Sequence, residues 1–280
     1  MDFSAKSAIV PFALAVLPLL SACMGEDNSP ENICSSNPEL CTGFNIEDGH
    51  CESPRTSIIQ QRFENLTAPS DVGKLKELRF AEEYQKCLEY APATGSTSTK
   101  DLKRSRAESM VTVRFDIEQI QKDLSSSNDP HVLFYLMSTG DTAARERFAA
   151  LEDSPQMKTP ELQLALATFY NSEDKTKTLS YLHGALEFYD GSEGTTLEQT
   201  VPEAIRAMAT TYHQLGNEKD AYLWTRIAGE FELGVAKGAQ LNNLYPMNSA
   251  DRDYLDDLAE DISDQIQSGE YKQVKVSSKN

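Results

Sequence analysis

The spacing of the apolar residues restricts this chain more than any other feature. Along most of its length they recur at steps of three and four, the period of a helix with one buried stripe. Met110, Val113, Ile117, Ile120 and Leu124 trace such a stripe across residues 101–124. Val111, Val113, Phe115 and Ile117 also alternate, as a strand would. The helical spacing nevertheless runs on to Leu124, and no neighbouring segment offers a hairpin partner. A chain of short amphipathic helices buries its stripes by folding consecutive helices onto each other. The fold class expected is therefore all-α, built of helical hairpins.

The expected helices fall in order along the chain. Segments 55–66 and 73–90 form an antiparallel pair that turns at Ala68-Pro69-Ser70. Residues 93–99 are a Thr/Ser/Gly-rich loop before the 101–124 helix. From Asp129 three further pairs follow: 131–137 with 142–151, 160–170 with 176–189, and 202–215 with 218–233. Their breakers are Ser138-Thr139-Gly140-Asp141, Asn171-Ser172-Glu173-Asp174 and Gly216-Asn217. Pro160 and Pro202 suit a first helical turn, and Gly216 suits a C-terminal cap. A last acidic helix, 249–267, buries Leu255, Leu258, Ile262 and Ile266.

Cys34, Cys41, Cys51 and Cys87 follow a fifth cysteine, Cys23. An even set of four suggests two disulfides in an oxidising compartment, with three possible connectivities. Cys51 and Cys87 each lie 18 residues from Pro69, so an antiparallel hairpin brings them to one end. That favours Cys51–Cys87 and leaves Cys34–Cys41 as a small local loop. Residues 34–54 are rich in Asn, Gly, Pro and Asp and read as an irregular, disulfide-tied cap. A zinc site is disfavoured, because there is no CxxC pair and only His50 lies nearby.

The N-terminus carries a short apolar run from Ala8 to Leu20, preceded by Lys6 and followed by Ser21-Ala22-Cys23. The run is too short to span a bilayer, which needs roughly 20 residues, and reads as a secretion signal. Leu20-Ser21-Ala22-Cys23 resembles the lipobox cut by the lipoprotein signal peptidase. That resemblance implies a lipid-modified Cys23 as the first mature residue, with no Asp after it to retain the protein in the inner membrane. It implies an outer-membrane anchor with the body facing the periplasm. The expected organisation is a signal peptide at 1–22, a lipidated tether at 23–33, a disulfide-stabilised helical region at 34–128, helical repeats at 129–233, and an acidic helix and tail at 234–280. The net charge of −18 argues against nucleic-acid binding.

The third pair resembles a tetratricopeptide repeat. Ala209, Tyr212, Gly216, Ala221 and Ala228 stand at the spacing of that motif's small-aromatic-glycine-small-small signature. Thr225 and Ile205 depart from it, standing where an aromatic and a tryptophan are usual. Ala167 and Tyr170 repeat the pattern 42 residues earlier. The usual period is about 34, so residues 190–200 must bulge out. The resemblance implies a short tetratricopeptide-like solenoid whose first helices line a groove. By position, Glu161, Thr168 and Asn171 would face it, with Glu203, Arg206, Thr210 and His213 from the next pair. Such side chains suit a peptide backbone or a chain terminus, and plain solvent exposure explains them as well.

The whole chain resembles an uncharacterised family of Gram-negative lipoproteins. The residues that carry this are Asn37-Pro38-Glu39-Leu40, Asp48-Gly49-His50-Cys51, Pro54-Arg55-Thr56, Tyr84-Gln85-Lys86-Cys87 and Ala165-Leu166-Ala167-Thr168-Phe169-Tyr170. No catalytic signature is present: no HExxH, no GxSxG and no phosphate-cradling glycine loop. The aspartates around Asp251–Asp264 lack the glycine and closing glutamate of a calcium loop. No enzyme activity, cofactor or metal is expected. The function expected is a protein-binding adaptor or scaffold with an envelope protein as partner. The alternative is an all-helical glycan- or peptidoglycan-binding or -processing lipoprotein, for which Glu161 and Glu203 are the nominal carboxylate pair.

Overall fold

The computed structural model describes residues 28–90 and 100–273. The signal segment, the lipobox with Cys23, and the 93–99 loop lie outside the described residues. Among the described residues there are twelve α-helices and no strand. They are α1 (Pro30–Ser36), α2 (Glu52–Thr67), α3 (Asp71–Tyr90), α4 (Lys100–Leu124), α5 (Pro130–Ser138) and α6 (Thr142–Ala149). There follow α7 (Pro160–Tyr170), α8 (Lys175–Glu187), α9 (Val201–Gln214), α10 (Glu218–Glu230), α11 (Gly238–Leu244) and α12 (Ser249–Gln267).

Side chains at several helix starts accept hydrogen bonds from the first turn. Asp129 accepts from the backbone N–H groups of His131 and Val132, and Asp141 from that of Ala144. Thr159, Asp174 and Asn248 cap α7, α8 and α12 in the same way. Each satisfies N–H groups that a helix start leaves without partners. Gly216 sits at φ +71 just beyond α9, in the left-handed region that ends a helix. The 190–200 stretch differs from a plain bulge, since residues 196–200 form a π-helical turn that runs directly into α9.

The described chain divides into two compact units, one of residues 28–68 with 79–90 and 100–115, the other of 69–78 with 116–273. In the first unit Ile33, Leu40 and Ile59 form a buried cluster against which Phe44, Ile46 and Phe63 pack, and Ile58, Leu88 and Val113 are buried as well. Tyr84 adds an edge-on contact to the Phe44 ring at 5.4 Å. Disulfides join Cys34 to Cys41 and Cys51 to Cys87, with Cα–Cα distances of 5.6 and 5.8 Å. The tether expected at 23–33 is interrupted, because α1 begins at Pro30. Ser29 accepts from the Asn32 N–H, and the proline stands in the first turn. The cap expected at 34–54 is partly helical for the same reason, with a 3-10 turn at Pro38–Cys41.

Polar groups hold the rest of this unit. Asp48 is buried and receives Nε and Nη2 of Arg106 at 2.6 and 2.9 Å. The hydrogen bond from Arg106 holds the Asp48 carboxyl below the usual carboxylate range. Buried Arg55 donates to the carbonyls of Asp48 and Ile46. Gly43 lies so close to α4 that a Cβ there would meet Thr112 Oγ1 at 2.3 Å, and its φ of +83 is a second reason for glycine.

In the second unit, α5 packs on α6, α7 on α8, and α9 on α10, with further contacts of α8 on α9 and α10 on α12. One core spans α7 to α12, including Leu186, Ile205, Met208, Trp224, Ile227, Leu255 and Ile262. The acidic helix expected in a separate C-terminal region therefore belongs to the same core as the hairpins. Its Leu255, Ala259, Ile262 and Ile266 stripe is buried in that core. The chain beyond α12 is docked as well. Tyr271 is buried, and Gly269 at φ +72 passes so near Asp190 that a Cβ would lie 2.2 Å from its carbonyl carbon.

Two stability measurements follow. Cys51→Ser/Cys87→Ser opens a loop of 36 residues and is expected to cost about 4 kcal/mol in urea unfolding, whereas Cys34→Ser/Cys41→Ser costs about 2.5 kcal/mol. Arg106→Ala strands a buried carboxylate and is expected to cost about 3–5 kcal/mol. Most of that loss should return in Asp48→Asn/Arg106→Met.

Candidate functional site

Helix α9 presents two faces. Val201, Ala204, Ile205, Met208 and Thr211 are buried in the core. Arg206, Thr210 and His213 stand at i, i+4 and i+7, so they share one side of the helix, and all three are exposed. The opposing wall comes from the segment after α10. Glu232 turns the chain at φ +55, and Val235, Ala236, Leu244 and Tyr245 then line a cleft with Arg206, Ala209, Thr210, His213 and Thr225. The cleft has a volume of ≈ 370 Å³. Leu241 and Tyr245 are buried and anchor α11, so this wall is fixed to the core.

The polar groups of the cleft are held in place. His213 Nδ1 is 2.9 Å from the Tyr245 hydroxyl, and the two rings meet edge-on at 5.8 Å. The Thr210 hydroxyl donates to the Arg206 carbonyl at 2.9 Å. The Arg206 guanidinium lies 3.6 Å from the Glu203 carboxylate, with both side chains at least half exposed. Such an exposed pair is weak, so the guanidinium is accessible to an incoming anion. Burial pushes the Tyr245 phenol up, which keeps it a neutral hydroxyl beside the imidazole.

The remaining groove candidates lie elsewhere in the unit. Glu161 is half-buried and accepts from the Thr196 hydroxyl, which ties α7 to the π-helical turn. Thr168 and Asn171 are exposed on and just after α7, where Thr168 donates to the Leu164 carbonyl and Asn171 accepts from Lys175. Glu203 serves Arg206. Val235, Ala236, Leu244 and Tyr245 escape the sequence reading because α11 is only seven residues long. Leu241, Leu244 and Tyr245 do recur at three and four, which is the one signal that marks them.

Two further polar clusters tie helices together, one partly exposed around Glu152 and one buried around His183. Glu152 accepts from the hydroxyls of Tyr170 and Tyr181 and from Lys177 Nζ at 2.7 Å. Burial raises its carboxyl, but the bonds from Lys177 and both tyrosines outweigh that and hold it below the usual range. An ionised carboxylate with three donors is a poor proton donor, so this group ties α7 and α8 to the preceding turn. His183 is buried, with Nδ1 2.6 Å from Tyr271 Oη and Nε2 3.2 Å from Tyr212 Oη. Trp224, fully packed, meets the imidazole edge-on at 5.7 Å. Near the first disulfide-tied turn, potential ligand atoms of His50, Cys51 and Cys87 lie within 4.8 Å of one another. The two sulfurs are bonded to each other and offer no thiolate to a metal.

The fold and cleft define a class first: an all-helical protein of packed hairpins with a small, mostly apolar cleft beside its last pair. The chain belongs to the family described as Protein of unknown function (DUF2989), which matches residues 20–226. No curated protein and no solved structure matches it.

Burial lowers the His183 pKa from 6.5 to about 4, so the folded protein holds the imidazole neutral. Its contribution is fully present above pH 6.5 and is lost as pH falls toward 4. Acidification across that window is expected to cost about 3 kcal/mol in urea unfolding. His183→Gln should flatten this part of the pH profile.

Proposed function

We propose that this protein is a lipid-anchored envelope adaptor that holds a protein partner through the α9–α11 cleft. The observation that carries this reading is the convergence of Arg206, Thr210 and His213, three of the groove candidates, on one cleft with an apolar wall. A mostly apolar cleft with a few fixed polar groups is the ordinary form of a binding site. The departures from a tetratricopeptide-like repeat also fit. Thr225 lines the cleft, and the aromatic usual at its position would occupy that space.

The lipobox Leu20-Ser21-Ala22-Cys23 and the two disulfides support secretion, lipidation of Cys23 and an oxidising compartment. Met24 after the cysteine supports an outer-membrane address facing the periplasm. Among the described residues no helix is long and apolar enough to cross a membrane, so the proposed anchor is the lipid. Glycan processing is the weaker reading. It needs two carboxylates flanking one bond, whereas neither Glu161 nor Glu203 lines the cleft and Glu161 is engaged by Thr196.

Crosslinking in intact cells tests the proposal, with the native protein beside Cys23→Ala and Arg206→Ala/His213→Ala. One envelope protein should crosslink to the native chain and disappear with the cleft variant. Palmitate labelling should be present in the native chain and absent from Cys23→Ala. Retention of cell-wall material with no protein partner would move the reading to glycan binding.

A further inference from the structure

We infer that the cleft takes the free C-terminus of an extended peptide ending in an apolar residue. The terminal carboxylate would sit on Arg206, and the last side chain would lie against Val235, Ala236 and Leu244. This rests on the protein-docking reading and specifies what is docked.

The first argument is charge. The chain carries 44 acidic and 26 basic residues, yet the residues lining this cleft include Arg206 and His213 and no carboxylate. Glu203 approaches only from the rim, one turn back along α9. An internal peptide segment would offer Arg206 neutral carbonyls. A terminus offers a full negative charge whose two oxygens match the fork of a guanidinium.

The second argument is the apolar wall. Ala209, Val235, Ala236 and Leu244 form much of the lining, and Leu244 is 49% exposed. A free inorganic anion would leave that surface in water, and a purely apolar ligand would leave the guanidinium without a matching charge. A chain end with an apolar side chain satisfies both.

The third argument is length. Arg206 and His213 are seven residues apart on one helix, about 10 Å along its axis. One carboxylate cannot bridge that distance, but about three residues of extended chain span it. Arg206 therefore receives the terminus. The His213–Tyr245 pair, at the other end, is placed to hydrogen-bond a backbone group upstream. The volume of ≈ 370 Å³ suits such a short segment and not the face of a folded domain. The apolar wall comes from residues after α10 and is independent of the hairpin pattern itself.

Binding of fluorescein-labelled hexapeptides to the full chain tests this, read by fluorescence polarisation. The peptides end in Leu, Val, Ile, Phe or Ala, each as the free acid and as the C-terminal amide. At least one free acid should bind about tenfold more tightly than its amide, the size expected of one charge-assisted contact. Arg206→Ala should remove that difference. Val235→Asp should weaken the acid by repelling the terminus and spoiling the wall. His213→Ala should weaken acid and amide alike. Circular dichroism on each variant shows that the helices persist, and Arg206→Lys, which keeps charge but not the fork, should fall between native and Arg206→Ala. Equal affinity for acid and amide would overturn the carboxylate assignment while leaving a peptide-docking cleft. A preference for the acid that survives Arg206→Ala would overturn the role of Arg206. No binding by any peptide would overturn the whole inference, and the crosslinking result would then judge the adaptor reading separately.

Discussion

From α5 to α11 no helix exceeds 14 residues. Helices of that length are marginal in water by themselves. Each one therefore depends on a neighbour to cover its stripe and on a side chain to satisfy its first turn. The pairing α5/α6, α7/α8 and α9/α10 meets the first need, and Asp129, Asp141, Thr159 and Asp174 help meet the second. Small residues set how closely the pairs approach. Ala221 and Ala228 are completely buried on α10, and Gly184 on α8 lies so near Gln163 that a Cβ would meet its side-chain oxygen at 2.3 Å.

The first unit adds covalent links to its apolar packing, which includes the Ile33, Leu40 and Ile59 cluster. The links are two disulfides. The loop between them is organised around the Asp48–Arg106 pair and the carbonyls that Arg55 collects. Buried charges of this kind add specificity of arrangement more than net stability. They select one path for residues 46–50 among the many a polar loop could follow.

In the second unit the same economy decides which polar residues are available for binding. Glu152, Tyr170, Tyr181 and Lys177 satisfy one another, and His183 is enclosed by Tyr212, Tyr271 and Trp224. These groups are bonded to one another and hold neighbouring helices together. The α9 face is different. Arg206 and His213 reach solvent there beside an apolar wall, in a chain that is strongly acidic.

The helices α7 and α12 are read from sequence to the residue, because Pro160 and Asn248-Ser249 mark starts and the apolar stripe marks the rest. The Cys51–Cys87 pairing is favoured by symmetry about one turn, a local geometric fact. Arg206, Thr210 and His213 share a helix face by period alone. The sequence does not reveal what that face meets. Helix α11 is too short to show an amphipathic period, and its place beside α9 follows from Leu241 and Tyr245 entering a core made by distant helices. His183 likewise finds its partner Tyr271 only 88 residues on, through the fold. Helix periodicity and capping are interactions within a few residues, so the linear sequence by itself determined them. Which faces meet, which polar groups are consumed and where a cleft remains depend on contacts between distant segments, and only the tertiary structure decided those.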